Sequence, residues 1–397
     1  MSARDGALQP SGAALRRTAL HERHRKLGAK MTGFHGWDMP LYYTSILDEH
    51  KAVRQQFGAF DISHMGQVLV TGPGAEATLN QLFVSDMSQV GVGRACYTLM
   101  LNEAGGILDD LIIYRLGDED YLVIVNCANR GSDLEWLLGH RQAQTTITDI
   151  SEGRSILAVQ GPLACRTLEQ VLDARVAGLG RFGVAPIRTM GPDACLARTG
   201  YTGGDGFELF LPDRHAQRLW DLLLVTGAPL GALPVGLGAR DTLRVEAGLR
   251  LYGTDMDTGT TPLEAGLEWT VVLSKPFFIG KEALVRQKTD GVRRRFIGIE
   301  LAQGPVPRTG TELMLDGRAV GAVTSGTFSP VLNKPLGMGY VEPAAAAPGT
   351  VLTLTVRNQR HQATVVRLPF WKPHARPAAP VPVATATLEQ PAPQAPG

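Results

Sequence analysis

Residues 200–209 read GYTGGDGFEL, a glycine-rich turn running into an apolar strand, with Tyr201 before the turn and Glu208 after it. Two other stretches follow the same grammar: GGILDD at 105–110 and GARD at 238–241. Each sets a charged or phenolic side chain where a regular element meets a flexible turn, the usual address of a site residue held over a cleft. Together they supply Asp110, Tyr201, Glu208 and Arg240, a set suited to a polar, ring-shaped ligand bearing amide-like edges and carboxylates.

Phe207, Leu209 and Phe210 surround Glu208 with apolar bulk. A carboxylate in such a place is the natural partner for the paired N–H donors of an aminopyrimidine edge. A plain hairpin with Glu208 decorating its strand fits the same residues. Asp109 and Asp110 stand between Ile107-Leu108 and Leu111-Ile112-Ile113. In a strand of that kind one aspartate faces inward if the other faces out, and an inward carboxylate must be paired or hydrogen-bonded. A type I turn with both aspartates in water is the alternative. Arg240 lies near the start of a helix in VGLGARDTLRVEAG (235–248), placed to bind a carboxylate; an Asp241 cap with Arg240 in solvent is the alternative.

Outward from these motifs, similar blocks of strand, glycine turn and helix occupy 59–137 and 155–225, predicting two related α+β halves within 19–285. Asn126 follows the strand YLVIV and opens a helix carrying Asp133, Leu134, Trp136 and Leu137. The stretch FHGWDMPLYY (34–43) reads as a packed loop. From about 290 to 371 short alternating strands recur at hairpin spacing, which predicts a small antiparallel barrel. Residues 1–18 read as a loose leader, and the Pro/Ala-rich stretch 373–397 reads as disordered.

Composition narrows the function. Across 397 residues, Lys+Arg at 39 and Asp+Glu at 38 nearly cancel, and no basic tract interleaves with aromatics, which argues against a nucleic-acid partner. No window approaches the length of a membrane span, and a cytoplasmic, bacterial setting is expected, or a mitochondrial one in a eukaryote. Cys96, Cys127, Cys165 and Cys195 form no C-x-x-C pair, and His21 and His24 lack a third ligand nearby, so no metal is expected. Neither Gly91-x-Gly93 nor Gly236-x-Gly238 completes a dinucleotide fingerprint, which disfavours nucleotide cofactors.

With these residues assembled, the chain resembles the aminomethyltransferases, the T-proteins of the glycine cleavage system. The matching runs include FHGWDMP (34–40), GAFDISHMGQVLVTGP (58–73), LNEAGGILDDLIIY (101–114), RTGYTGGDGFEL (198–209), GLGARDTLRVEAGLRLYGTDMD (236–257) and TSGTFSPVLNKPLGMGYV (324–341). The resemblance implies an α+β, three-lobed folate-binding fold closed by a C-terminal β-barrel. It places Asp110 on the catalytic aspartate, Glu208 on the pterin-holding glutamate, Tyr201 on the tyrosine of that loop and Arg240 on the folate-binding arginine. Tyr97 falls on an aromatic lining the cavity and Asn126 on a further folate contact. Gly204 stands where family members often carry glutamate, and past Phe370 the chain runs into its own tail. The implied activity moves a methylene from a lipoyl-bound aminomethyl group, on a lipoylated carrier protein (H-protein), to tetrahydrofolate with release of ammonia. Non-catalytic folate-binding iron–sulfur assembly factors and folate-dependent demethylases are the competing relatives. The assembly factors carry a K-G-C-Y-x-G-Q-E motif that this sequence lacks, and the oxidase fusions need a flavin domain for which it has no room.

Overall fold

The computed structural model describes residues 14–373. Residues 1–13 of the expected leader and 374–397 of the expected tail lie outside the described residues. Residues 14–18 depart from the leader reading. Arg16 exchanges backbone hydrogen bonds with Gly36 and Asp38 at 2.8 and 2.9 Å, and the Thr18 hydroxyl donates to buried Asp61 at 2.6 Å. Their polar backbone finds partners along a neighbouring strand, which the sequence pattern alone did not signal.

Two antiparallel-rich sheets form the body of the molecule. The first has five strands in the spatial order Arg94–Leu101, Ile107–Arg115, Asp120–Val125, Gly66–Thr71 and Thr146–Asp149. The second has six, in the order Val184–Pro186, Cys195–Ala197, Gly206–Pro212, Arg154–Gln160, Gly58–Asp61 and Leu233–Pro234. Helices Ala75–Leu82 and Arg130–Gly139 cover one face of the first sheet through Val68, Leu79, Val123 and Leu137. Helices Ala164–Leu172 and Asp213–Gly227 cover one face of the second through Leu168, Phe207, Leu209 and Trp220. The remaining faces meet each other across Phe60, Tyr114, Ile124, Ile156 and Phe210. Because both sheets are covered on both faces, their strands read as continuous apolar runs, as in Tyr121-Leu-Val-Ile-Val125, where all five residues are buried.

The edges of the sheets also touch. Ala95 N–H donates to Phe182 O at 2.7 Å, and Val184 N–H donates to Gly93 O at 2.8 Å. This seam closes one side of the space between the halves.

The stretch 34–43 is not a loop. Lys30–Phe34 and Trp37–Tyr42 pair as a hairpin around His35-Gly36, whose φ angles of 44° and 84° supply the left-handed pair that a two-residue turn requires. Pro40 sits opposite Met31 at the register shift, where a missing N–H is tolerated.

Residues 295–366 close into a six-stranded antiparallel barrel, ordered Arg295–Glu300, Lys334–Val341, Arg318–Ser329, Glu312–Leu315, Val351–Val356 and Gln359–Val366. Helix Leu237–Glu246 clasps it to the body. Arg244 reaches Asp255 at 2.5 Å and the barrel hydroxyl of Ser325 at 2.8 Å, all three side chains buried. Glu246, two residues further on, accepts from Ser329 of the barrel and from Arg54 of helix Ile46–Gln55. Among the described residues no helix is long and apolar enough to cross a membrane.

Candidate active site

A cavity of about 1240 Å³ opens between the two sheets and the loop Leu249–Tyr252, and all six residues singled out from sequence line it: Tyr97, Asp110, Asn126, Tyr201, Glu208 and Arg240. That volume exceeds the usual range for a single small ligand, roughly 300–1,000 Å³, and leaves room for two.

Asp110 and Tyr97 come from neighbouring strands of the first sheet. Tyr97 pairs with Ile112 and Leu99 with Asp110, so the phenol reaches diagonally to the carboxylate and donates to Oδ2 at 3.0 Å. Asn126, at the end of the next strand over, donates its amide to Asp110 Oδ1 at 3.1 Å and to Asp109 Oδ1 at 2.8 Å. Burial first, and then the charge of Asp109, push the Asp110 carboxyl up to about 7, against the lowering effect of the Tyr97 and Asn126 hydrogen bonds. A carboxyl balanced near neutrality can hold or release a proton at little cost.

The expectation that one aspartate faces inward and the other outward needs correction. Both are inside. The strand alternates as expected, but the face that carries Asp109 is roofed by helix Arg130–Gly139, and Asp109 is 0% exposed. It accepts from Asn126 N–H, Asn126 Nδ2 and Asn129 Nδ2 at 3.1, 2.8 and 3.0 Å.

The glycine turn of the second sheet does what its sequence predicts. Gly203 has φ +74° and lies where a Cβ would come 2.5 Å from that of Ala247, so only glycine permits this approach. Asp205 is occupied by Arg198, which grips it with two nitrogens at 2.8 Å each. Glu208 is buried and its Oε2 accepts from Thr199 at 2.6 Å and from Tyr114 at 3.1 Å. These two hydroxyls fix the carboxylate on one side, and among the described residues no hydrogen bond engages Oε1.

Arg240 stands over the ring of Tyr201 at 4.6 Å, and Tyr201 is itself anchored by its hydroxyl to the Arg250 carbonyl. The surface-arginine alternative does not hold. Asp241 turns to Arg244 at 2.9 Å, while Arg240 faces the cavity, and among the described residues no carboxylate forms an ion pair with it. Burial works against its charge, with Tyr201 and Glu208 favouring it. A desolvated guanidinium lacking a fixed counterion is a ready anion site.

Sequence reading missed other parts of the wall. Trp269 lines the cavity, stacks on Tyr97 with centroids 5.8 Å apart and remains 67% exposed. His64 lines it too, held to about 3 by burial and then by Arg240, hence a neutral imidazole. Tyr114 carried a signal, since it lies on the same strand face as Asp110 at period two. Trp371 and Pro373 also line the cavity, and Trp371 packs over the Arg54 guanidinium at 3.7 Å. The C-terminal segment is therefore part of the wall.

Comparison with known proteins gives the family. The chain is similar to curated proteins named aminomethyltransferase from Halothermothrix orenii, 43% identical over 90% of this chain and 100% of that protein, and from Streptomyces avermitilis, 45% identical over 91% and 99%. Its fold matches the crystal structure of the glycine cleavage system aminomethyltransferase T from Bartonella henselae at a TM-score of 0.85, with 35% identity over 90% of this chain and 99% of that one. Family models for the GCVT N-terminal domain and for the glycine cleavage T-protein C-terminal barrel domain match residues 20–275 and 294–372. The chain belongs to the glycine cleavage T-protein family, whose class is the aminomethyltransferases.

Proposed function

We propose that this cavity binds tetrahydrofolate and that the chain transfers to it the methylene of an aminomethyl group carried on the lipoyl arm of a lipoylated carrier protein, releasing ammonia. The observation that carries the reading is the division of labour along one wall. Glu208 offers a fixed carboxylate oxygen, Arg240 an uncommitted cation and Asp110 a carboxyl poised near neutrality. The aminopyrimidine edge of the pterin has adjacent N–H donors that fit Glu208, and the anionic glutamate end fits Arg240.

Asp110 then stands for the reacting end. The carrier's S–CH2–NH2 group loses its C–N and C–S bonds, and the methylene becomes bonded to N5 and N10 of tetrahydrofolate. The two protons displaced from those nitrogens leave on ammonia and on the lipoyl thiol. Asp110 accepts or orients the N5 proton, and Tyr97 and Asn126 hold its two oxygens in place. Enclosing both substrates in one cavity converts an encounter in solution into a local one.

The test is single-turnover ammonia release from aminomethyl-loaded carrier, with and without tetrahydrofolate. Release that depends on tetrahydrofolate supports the proposal. Folate binding without release would make the protein a binding factor instead.

A further inference from the structure

Behind Asp110 lies a second carboxyl that the reaction as written does not use. Asp133, on helix Arg130–Gly139, is 2% exposed, and its Oδ2 is buried with no hydrogen-bond donor among the described residues. Its side chain meets that of Asp109, which is 0% exposed. No Lys or Arg forms an ion pair with either group among the described residues. Two carboxylates cannot both keep a charge in such a place, because each ion would be desolvated and would repel the other. One proton between them removes the conflict, and it gives the undonated oxygen a role as the O–H that Asp109 accepts.

The other donors decide which carboxyl holds the proton. Asp109 accepts from three N–H groups of Asn126 and Asn129, all of which favour its anion, whereas Asp133 receives none of these. Burial raises both carboxyls; the hydrogen bonds that Asp109 accepts work against its rise, whereas the neighbouring Asp109 raises the Asp133 carboxyl further.

We propose that Asp133 is a positioning residue that carries a permanent proton, donates it to Asp109, and thereby keeps Asp109 anionic beneath Asn126 and Asp110. Anionic Asp109 holds the Asn126 amide, which in turn grips Asp110 Oδ1 at 3.1 Å. It also supplies the negative charge that raises Asp110. The other titratable groups facing this cluster are Tyr97 from the adjacent strand, Tyr252 from the loop Leu249–Tyr252 and Tyr201 from the glycine turn, all three raised and so neutral at physiological pH. The inference rests on Asp110 acting in the transfer reaction as proposed above.

Two substitutions separate this role from simple packing. Asp133→Asn keeps a donor to Asp109 and the same total charge; Asp133→Leu removes the donor, so Asp109 takes up the proton itself. The acidic limb of the pH–rate profile for single-turnover transfer should stay in place in Asp133→Asn. In Asp133→Leu it should move to lower pH, by about one unit or more, as Asp110 loses its charged neighbour. Equal limbs in both variants, or a limb that moves in Asp133→Asn, would overturn the proposal. Infrared difference spectra of wild type against Asp133→Asn give a readout that needs neither turnover nor the Leu variant to fold. At a pH of about 8.5, where Asp110 is ionised, wild type should show a protonated-carboxyl band that Asp133→Asn lacks. Spectra without that difference would overturn the proposal even if the transfer assay failed altogether.

Discussion

Tyr97 donates its phenolic hydrogen to Asp110 across the gap between two neighbouring strands, at 3.0 Å from Oδ2. The contact lowers a carboxyl that burial and Asp109 both raise. Tyr97→Phe removes the hydroxyl and leaves the ring stacked on Trp269. The Asp110 carboxyl should then rise further, and the acidic limb of the transfer rate should move to higher pH by about one unit, as expected for one hydrogen bond to a charged group. A pH–rate profile of the variant checks this, and a limb moving to lower pH would reverse the assigned sign.

Stability should carry the opposite signature from activity at Asp110. Its folded value of about 7 lies above the ordinary 3.8, so the carboxyl favours folding fully only at low pH, and that contribution is lost as pH rises toward 7. Asp110→Asn has no such loss. Its thermal midpoint relative to wild type should be flat below pH about 4, rise between there and about 7, and be flat again above. Melting curves across this range would show it, and a difference independent of pH would mean that Asp110 titrates normally.

Glu208→Gln keeps the shape of the side chain and its approach to Thr199 and Tyr114 but removes the charge. Tetrahydrofolate affinity should fall at least tenfold, or about 1.4 kcal/mol, by isothermal titration. An unchanged affinity would place the pterin elsewhere in the cavity.

The barrel clasp gives a prediction about the fold alone. Arg244→Met leaves Asp255 buried without its guanidinium and should cost about 3–5 kcal/mol in chemical denaturation. Arg318→Met breaks the exposed pair with Glu342 and should leave the denaturation midpoint where it was. Similar losses in the two variants would remove the argument from burial.

What the sequence conveyed followed from how local each signal was. The turn at 200–209 and the acidic pair at 109–110 lie where glycines and strand alternation constrain the backbone within a few residues, and the structure sets their side chains on one cavity wall. The six barrel strands were readable for the same reason, since hairpin spacing is a local property. Asp109 was misplaced because alternation gives only its face, whereas its burial depends on a helix some twenty residues further along. Asp133 itself left a trace, four residues before Leu137 on the buried stripe of that helix. Trp269 and His64 carried no such trace, because they reach the wall through chain crossings that no short window contains.

The central claim is that Asp110, among the groups on the wall, acts on the reacting atoms. It is tested most directly by single-turnover ammonia release from aminomethyl-loaded carrier at saturating tetrahydrofolate, comparing wild type with Asp110→Asn, alongside tetrahydrofolate affinity for both. Asn keeps the side chain's volume beside Tyr97 and Asn126 and loses the carboxyl. The account predicts a rate lower by on the order of 10²–10⁴ with affinity changed less than about threefold. A variant that retains more than about a tenth of the wild-type rate, or that loses rate only in proportion to lost affinity, would contradict it.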